Sequence, residues 1–131
     1  MRILVVDDEP LVAQTLAIIF RKHGFEAATV ASVEEAMTSV RSLAPDLLIC
    51  DIDMPGRDGV SLMQQVGVEF PALPILVLTG FYSALGRVSD CALTLRQPVS
   101  ICTKPCPPAD LLRTADSMLH SRPPAHRIAL S

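Results

Sequence analysis

The sequence predicts an α/β chain built on a doubly wound parallel sheet, and three observations lead there. Five short apolar runs alternate with five stretches of helical periodicity. The apolar runs are near-continuous in Val, Ile and Leu, as strands covered on both faces are. Half the residues are hydrophobic but only 4% are aromatic, so the core is aliphatic. A chain of 131 residues is one domain's length. It buries roughly two-thirds of its unfolded surface and folds without staples.

Arg2–Asp7 is a short apolar run ending in acids, which suits a central strand. Pro10 follows at a position tolerated in a first helical turn, and Val12, Leu16, Ile19 and Phe20 recur at helical spacing. Gly24 supplies the stop. Phe25–Val30 reads as a second strand, and Ser32-Val33-Glu34-Glu35 as a capping box opening a helix to about Leu43. Pro45 separates that helix from a third strand, Asp46–Asp51. The loop Ile52–Gly59 leads to a helix ending near Val68, and Pro71 and Pro74 bracket a turn before Ile75–Leu78, the fourth strand. A weaker helical pattern spans about Ser83–Leu95, interrupted by Gly86. Val99–Thr103 is a fifth strand. Pro108–Leu119 is a last helix with Leu111, Leu112, Ala115 and Leu119 as its apolar stripe. Residues 121–131 are expected to be a flexible tail.

The net charge of −3, with no basic run, argues against direct nucleic-acid binding by this chain. Apolar Met1–Val6 meets Asp7 and Asp8 too early for a signal peptide, and no segment reaches the ~18 apolar residues of a membrane span. A cytoplasmic protein without membrane attachment is expected. Cys50, Cys91, Cys102 and Cys106 show no C-x-x-C spacing and read as free, mainly buried thiols.

In open α/β sheets, ligands bind beyond the carboxyl ends of the strands. Asp7 and Asp8 follow the first strand, Asp51 the third, Thr79 the fourth and Lys104 the fifth. Taken singly, each is an ordinary cap or turn residue, as Glu9 and Asp58 are. Together they converge on one crevice. Two carboxylates ~5 Å apart repel by about 3 kcal/mol at an effective dielectric near 20, so a cation or a raised pKa must offset them. Hard oxygens with room for water suit Mg²⁺, with Mn²⁺ able to stand in. A carboxylate can attack phosphorus to form an acyl phosphate, while Lys104 and a Thr79 hydroxyl suit the oxygens of the transferred group.

Val5-Val6-Asp7-Asp8-Glu9-Pro10, Asp51-Ile52-Asp53-Met54-Pro55-Gly56-Arg57-Asp58-Gly59, Thr79-Gly80 and Lys104-Pro105 resemble, in order and spacing, the signature segments of response-regulator receiver (CheY-like) domains of bacterial two-component systems. The resemblance covers residues 2 to about 120. It implies a flavodoxin-like (βα)5 sandwich with strand order 2-1-3-4-5. It also implies a phosphorylation switch rather than an enzyme, fed by a sensor histidine kinase or phosphotransfer protein and acting on a downstream protein. Asp51 would be the phosphoacceptor. Asp8, Asp51 and the backbone carbonyl of Asp53 would ligate Mg²⁺, and Asp7 would support its water shell. Thr79 and Lys104 would hold the phosphoryl oxygens, and the family commonly has a cis bond before the position of Pro105. Leu11, Ile18 and Pro105 would be kinase-docking candidates. Residues 1–120 form the receiver in this reading, with no effector domain after them.

Two departures from the family fall near the fifth strand. Ile101 stands where receivers commonly carry Tyr, Phe or His. The stretch Phe81–Ser100 is long, with Arg96-Gln97-Pro98 at a usually small turn. Without a rotating aromatic, the signal is expected to pass through the backbone of Thr79–Ser83 and the start of the fourth helix. Two other readings are open. A receiver-like scaffold that ignores phosphorylation would leave these acids idle. A haloacid-dehalogenase-type phosphatase would use Leu47–Asp53 as its Asp-x-Asp strand, although Met54 and the third-strand position fit it poorly.

Overall fold

The computed structural model describes residues 1–53, 59–80, 82–120 and 128–130, the backbone alone at 82–84 and 128–130. β1(Arg2–Val6), β2(Glu26–Val30), β3(Leu47–Asp51), β4(Ile75–Thr79) and β5(Val99–Thr103) alternate with α1(Pro10–Lys22), α2(Val33–Leu43), α3(Gly59–Glu69), α4(Tyr82–Thr94) and α5(Pro108–His120). All strands pair in parallel in the order β2-β1-β3-β4-β5, the flavodoxin-like order the resemblance implied. A short sixth strand, β6(Ile128–Leu130), adds to the free edge of β5, with Val99 beside Ile128. Of the tail expected over residues 121–131, residues 121–127 and 131 lie outside the described residues; at 128–130 the backbone groups join the ladder of the neighbouring strand.

The central strands are buried over their whole length, and alternate side chains enter opposite layers. Leu4, Val6, Leu48, Cys50, Val77 and Ile101 pack with α2, α3 and α4. Ile3, Val5, Ile49, Leu76, Leu78 and Cys102 pack with α1 and α5. The chain therefore leaves β1 toward one face and β3 toward the other. That reversal opens a crevice between their carboxyl ends.

Local signals set most boundaries. Pro10 occupies the first turn of α1, and Gly24, at φ +90°, ends the turn after it. The Ser32 hydroxyl accepts the Glu35 N–H at 3.2 Å, while the Glu35 carboxylate accepts from Ala31 N at 3.0 Å, one residue earlier than the usual capping box. Ala44 adopts the left-handed conformation (φ 47°) at the end of α2, directly before Pro45. The fully buried side of α1 is Ala13, Ala17 and Phe20, with Val12, Leu16 and Ile19 only half-buried. The apolar stripe is thus centred one residue later than periodicity suggests, because small alanines allow the closest approach to the sheet. In α5, likewise, Met118 is buried beside Leu111 and Ala115, whereas Leu112 and Leu119 lie at the margin.

Candidate functional site

Parallel pairing carries the acids into the crevice. Val6 sits beside Cys50 in the β1–β3 register, so the next residues, Asp7 and Asp51, emerge side by side. One carboxylate oxygen from each of Asp7, Asp8 and Asp51 lies within 4.8 Å of the others. Asp7 is 2% exposed and Asp51 3%, while Asp8 is half-buried at the opening.

The carboxylates are held in different ways. Asp7 Oδ1 accepts the Glu9 N–H at 2.9 Å, which bends the chain from strand into α1. Its Oδ2 is buried without a hydrogen-bond partner among the described residues. Burial pushes the Asp7 carboxyl up to about 6, and the Asp51 charge adds to the rise, against the opposing backbone N–H of Glu9. Asp51 Oδ1 accepts the Asp53 N–H at 2.9 Å, and its Oδ2 pairs with Lys104 Nζ at 3.2 Å. Lys104 is positioned twice over, since its backbone N–H also donates to the Thr79 carbonyl at 2.8 Å. The Lys104–Pro105 bond is cis. Thr79 ends β4 fully buried beside this loop.

Asp7, Asp8, Asp51 and Lys104 are therefore brought together, with Thr79 at the same strand edge. Asp53 has a position that the resemblance did not supply. Its carboxylate accepts the Gly80 N–H at 3.0 Å and so bridges the loops after β3 and β4. The Asp-x-Asp spacing carried that signal, but only the β3–β4 pairing shows where the second acid reaches. Leu11 and Ile18, seven residues apart on one face of α1, are 79% and 51% exposed. Pro105 is exposed beside the site. Asp58 and Met54 lie outside the described residues.

A buried orphan oxygen on Asp7, two further acids and an open side fit a hard divalent cation that keeps several waters. The single ammonium of Lys104 offsets only part of three carboxylates.

Comparison with known proteins places this arrangement. A response regulator receiver protein (CheY-like) from Methanospirillum hungatei superposes with a TM-score of 0.80 at 26% identity, covering 90% of this chain and 92% of that one. The response regulator TrrA of Thermotoga maritima, solved in complex with Mg²⁺-BeF, superposes with a TM-score of 0.79 at 27% identity, covering 90% and 98%. The DNA-binding response regulator MtrA of Mycolicibacterium smegmatis is 40% identical over 78 residues, 60% of this chain and 34% of that protein. The chain thus spans about a third of the length of such curated relatives. The family model "Response regulator receiver domain" matches residues 3–116, and with the sheet order it shows that the chain belongs to the response-regulator receivers of two-component signalling.

Proposed function

We propose that this receiver accepts a phosphoryl group on Asp51 from a sensor histidine kinase or phosphotransfer protein in the cytoplasm, and that the phosphorylated form alters binding to a downstream protein. The observation carrying this reading is the contact of Asp51 with Lys104 inside the cluster of Asp7, Asp8 and Asp51. An Asp51 carboxylate oxygen attacks phosphorus as the phosphorus–nitrogen bond of the donor phosphohistidine, protonated on its other ring nitrogen, breaks; the electron pair stays on the departing nitrogen, leaving an acyl phosphate on Asp51 and a neutral imidazole. The Asp53 N–H holds the carboxylate in place during attack. Lys104 moves from Asp51 to the new phosphoryl oxygens, and the Thr79 hydroxyl donates to another, because hydrogen bonds to charged oxygens exceed neutral ones.

Asp8, Asp51 and the Asp53 backbone carbonyl would hold Mg²⁺, with Asp7 acting through its water shell. Bound there, the ion supplies neutralising charge to the carboxylates and to the transferring group. Asp53 is tied by its carboxylate to Gly80, which leaves it poorly placed as the general acid of a phosphatase.

Asp51→Asn tests the assignment. The variant keeps the shape of the side chain but lacks the anionic nucleophile, so labelling by acetyl phosphate should disappear while the circular dichroism spectrum is retained. Full labelling of the folded variant would place the acceptor elsewhere.

A further inference from the structure

Asp53 reaches two parts of the site at once. Its N–H donates to Asp51 Oδ1 at 2.9 Å, and its Oδ2 accepts the Gly80 N–H at 3.0 Å. The backbone bonds joining β3 to β4 end one step earlier, where the Ile52 N–H donates to the Leu78 carbonyl at 3.0 Å. The Asp53 carboxylate thus prolongs the connection past the strand ends, and Gly80 stands two residues before Tyr82 opens α4. Gly80 also lies against Lys104: a Cβ there would be 3.7 Å from the Lys104 side chain and 3.9 Å from Asp53 Oδ2. The nucleophile, the lysine and the lead into α4 meet around Asp53 and Gly80.

Burial does not demand the Asp53–Gly80 bond. Gly80 is exposed and Asp53 half-buried, so water can satisfy both groups. A hydrogen bond between groups that water reaches contributes little net stability, and it is exchanged cheaply when the surrounding charge changes. Phosphorylation makes that change. The single charge of Asp51 gives way to a phosphoryl group carrying roughly two. Lys104, 3.2 Å from Asp51 at rest, is drawn to the same oxygens. A residue whose own N–H touches the acceptor cannot hold its carboxylate far from the new charge, and the two repel.

We propose that the Asp53 carboxylate is a positioning latch: it holds Gly80 and the start of α4 in the resting arrangement, and the charge gained at Asp51 on phosphorylation expels it. The Asp53 main chain stays beside Asp51 while the side chain rotates away. Gly80, no longer held, follows Thr79 toward the phosphoryl oxygens and carries the start of α4 with it. The device needs no rotating aromatic, in keeping with the buried Ile101 of β5. Release rests on Asp51 being the phosphoacceptor, whereas the latch at rest does not.

Amide spectra of the whole chain, all recorded with Mg²⁺, separate a latch from an ordinary turn residue. The readout is the first half of α4, which lies beyond the Asp53–Gly80 bond itself. In the wild type, beryllofluoride should move these resonances from a resting to an activated position. Without beryllofluoride, Asp53→Ala should already lie part of the way along the same line, because it lacks the acceptor for Gly80. Asp53→Asn keeps an acceptor oxygen without the charge. It should rest near the wild-type position and stop short of the activated one at saturating beryllofluoride. Folded Asp53→Ala, with its β1 and β3 resonances retained, whose α4 stays at the wild-type resting position overturns the latch. Asp53→Asn that reaches the full wild-type shift overturns release by charge, and this holds even if Asp53→Ala fails to fold. A wild type that ignores beryllofluoride would instead count against the Asp51 reading, leaving the latch at rest to be judged by whether Asp53→Ala moves α4 at all.

Discussion

Asp7 carries a carboxylate into a place where water cannot solvate it fully. Its Oδ1 has the Glu9 N–H, but its Oδ2 is buried without a partner among the described residues. The rise of its pKa from 3.8 to about 6 records that cost, which corresponds to about 3 kcal/mol. The sign follows from proton binding. Between pH 3.8 and about 6 the folded state holds more of the Asp7 proton than the unfolded state does. The contribution of Asp7 is most favourable below that window and is lost as pH rises through it. Asp7→Asn removes the charge. In chelator, the variant should melt above the wild type at neutral pH and converge with it below about pH 4. Mg²⁺ should shrink the difference by stabilising the wild type. Equal melting temperatures at neutral pH in chelator would show that the Asp7 charge is solvated.

At the scale of elements, the site depends on how tightly α3 begins against the end of β3. Gly59 opens α3, and a Cβ there would lie 2.8 Å from the Ile52 backbone and 2.9 Å from the Asp51 carbonyl oxygen. Backbone cannot yield as a flexible side chain does. Gly59→Ala should cost about 1–3 kcal/mol in denaturant unfolding and disturb Asp51 with it. An unaltered midpoint would mean that the loop shifts freely. Helix α1 offers candidate contacts for a phosphoryl donor. Its Ala13, Ala17 and Phe20 face the sheet, while Leu11 and Ile18 remain in solvent. Ile18→Glu should slow phosphoryl transfer from a cognate kinase about tenfold, as for about 1.4 kcal/mol of lost docking, and spare labelling by acetyl phosphate. A loss of both reactions would indicate misfolding instead.

Over the whole molecule, β4 and β5 join the chemistry to α4. Thr79 and Lys104 lie at their carboxyl ends, and Ile101 packs in the cluster that includes Val88, Cys91 and Ala92 of α4. Ile101 is β-branched and fully buried, so it is a poor candidate for rotation between two states. A shift of Thr79 toward a phosphoryl group would instead pull on Gly80, whose N–H is tied to Asp53, and on the start of α4. Beryllofluoride with Mg²⁺ should move amide resonances of Gly80 and the first half of α4 more than those around Ile101. A strong response in β5 with α4 unmoved would reverse this route. Gln97, in the unusual turn before β5, is buried and donates to the Phe70 carbonyl at 3.2 Å, tying that turn to the end of α3.

Apolar runs, prolines and capping residues were enough to place five strands and five helices to within a residue or two, because those signals act over a few neighbours. The candidate acids, Thr79 and Lys104 were legible for a related reason: strand ends can be counted, and parallel strands put those ends on one edge. Distance-dependent features needed the folded chain. The orphan oxygen of Asp7 and the reach of Asp53 to Gly80 both depend on groups that local patterning treats separately. The same holds for β6, whose three residues have too little pattern to announce a strand until β5 offers them an edge. Periodicity also misjudged which side of α1 is deepest, since it weighs hydrophobicity, whereas the sheet selects the small residues that let a helix approach closely.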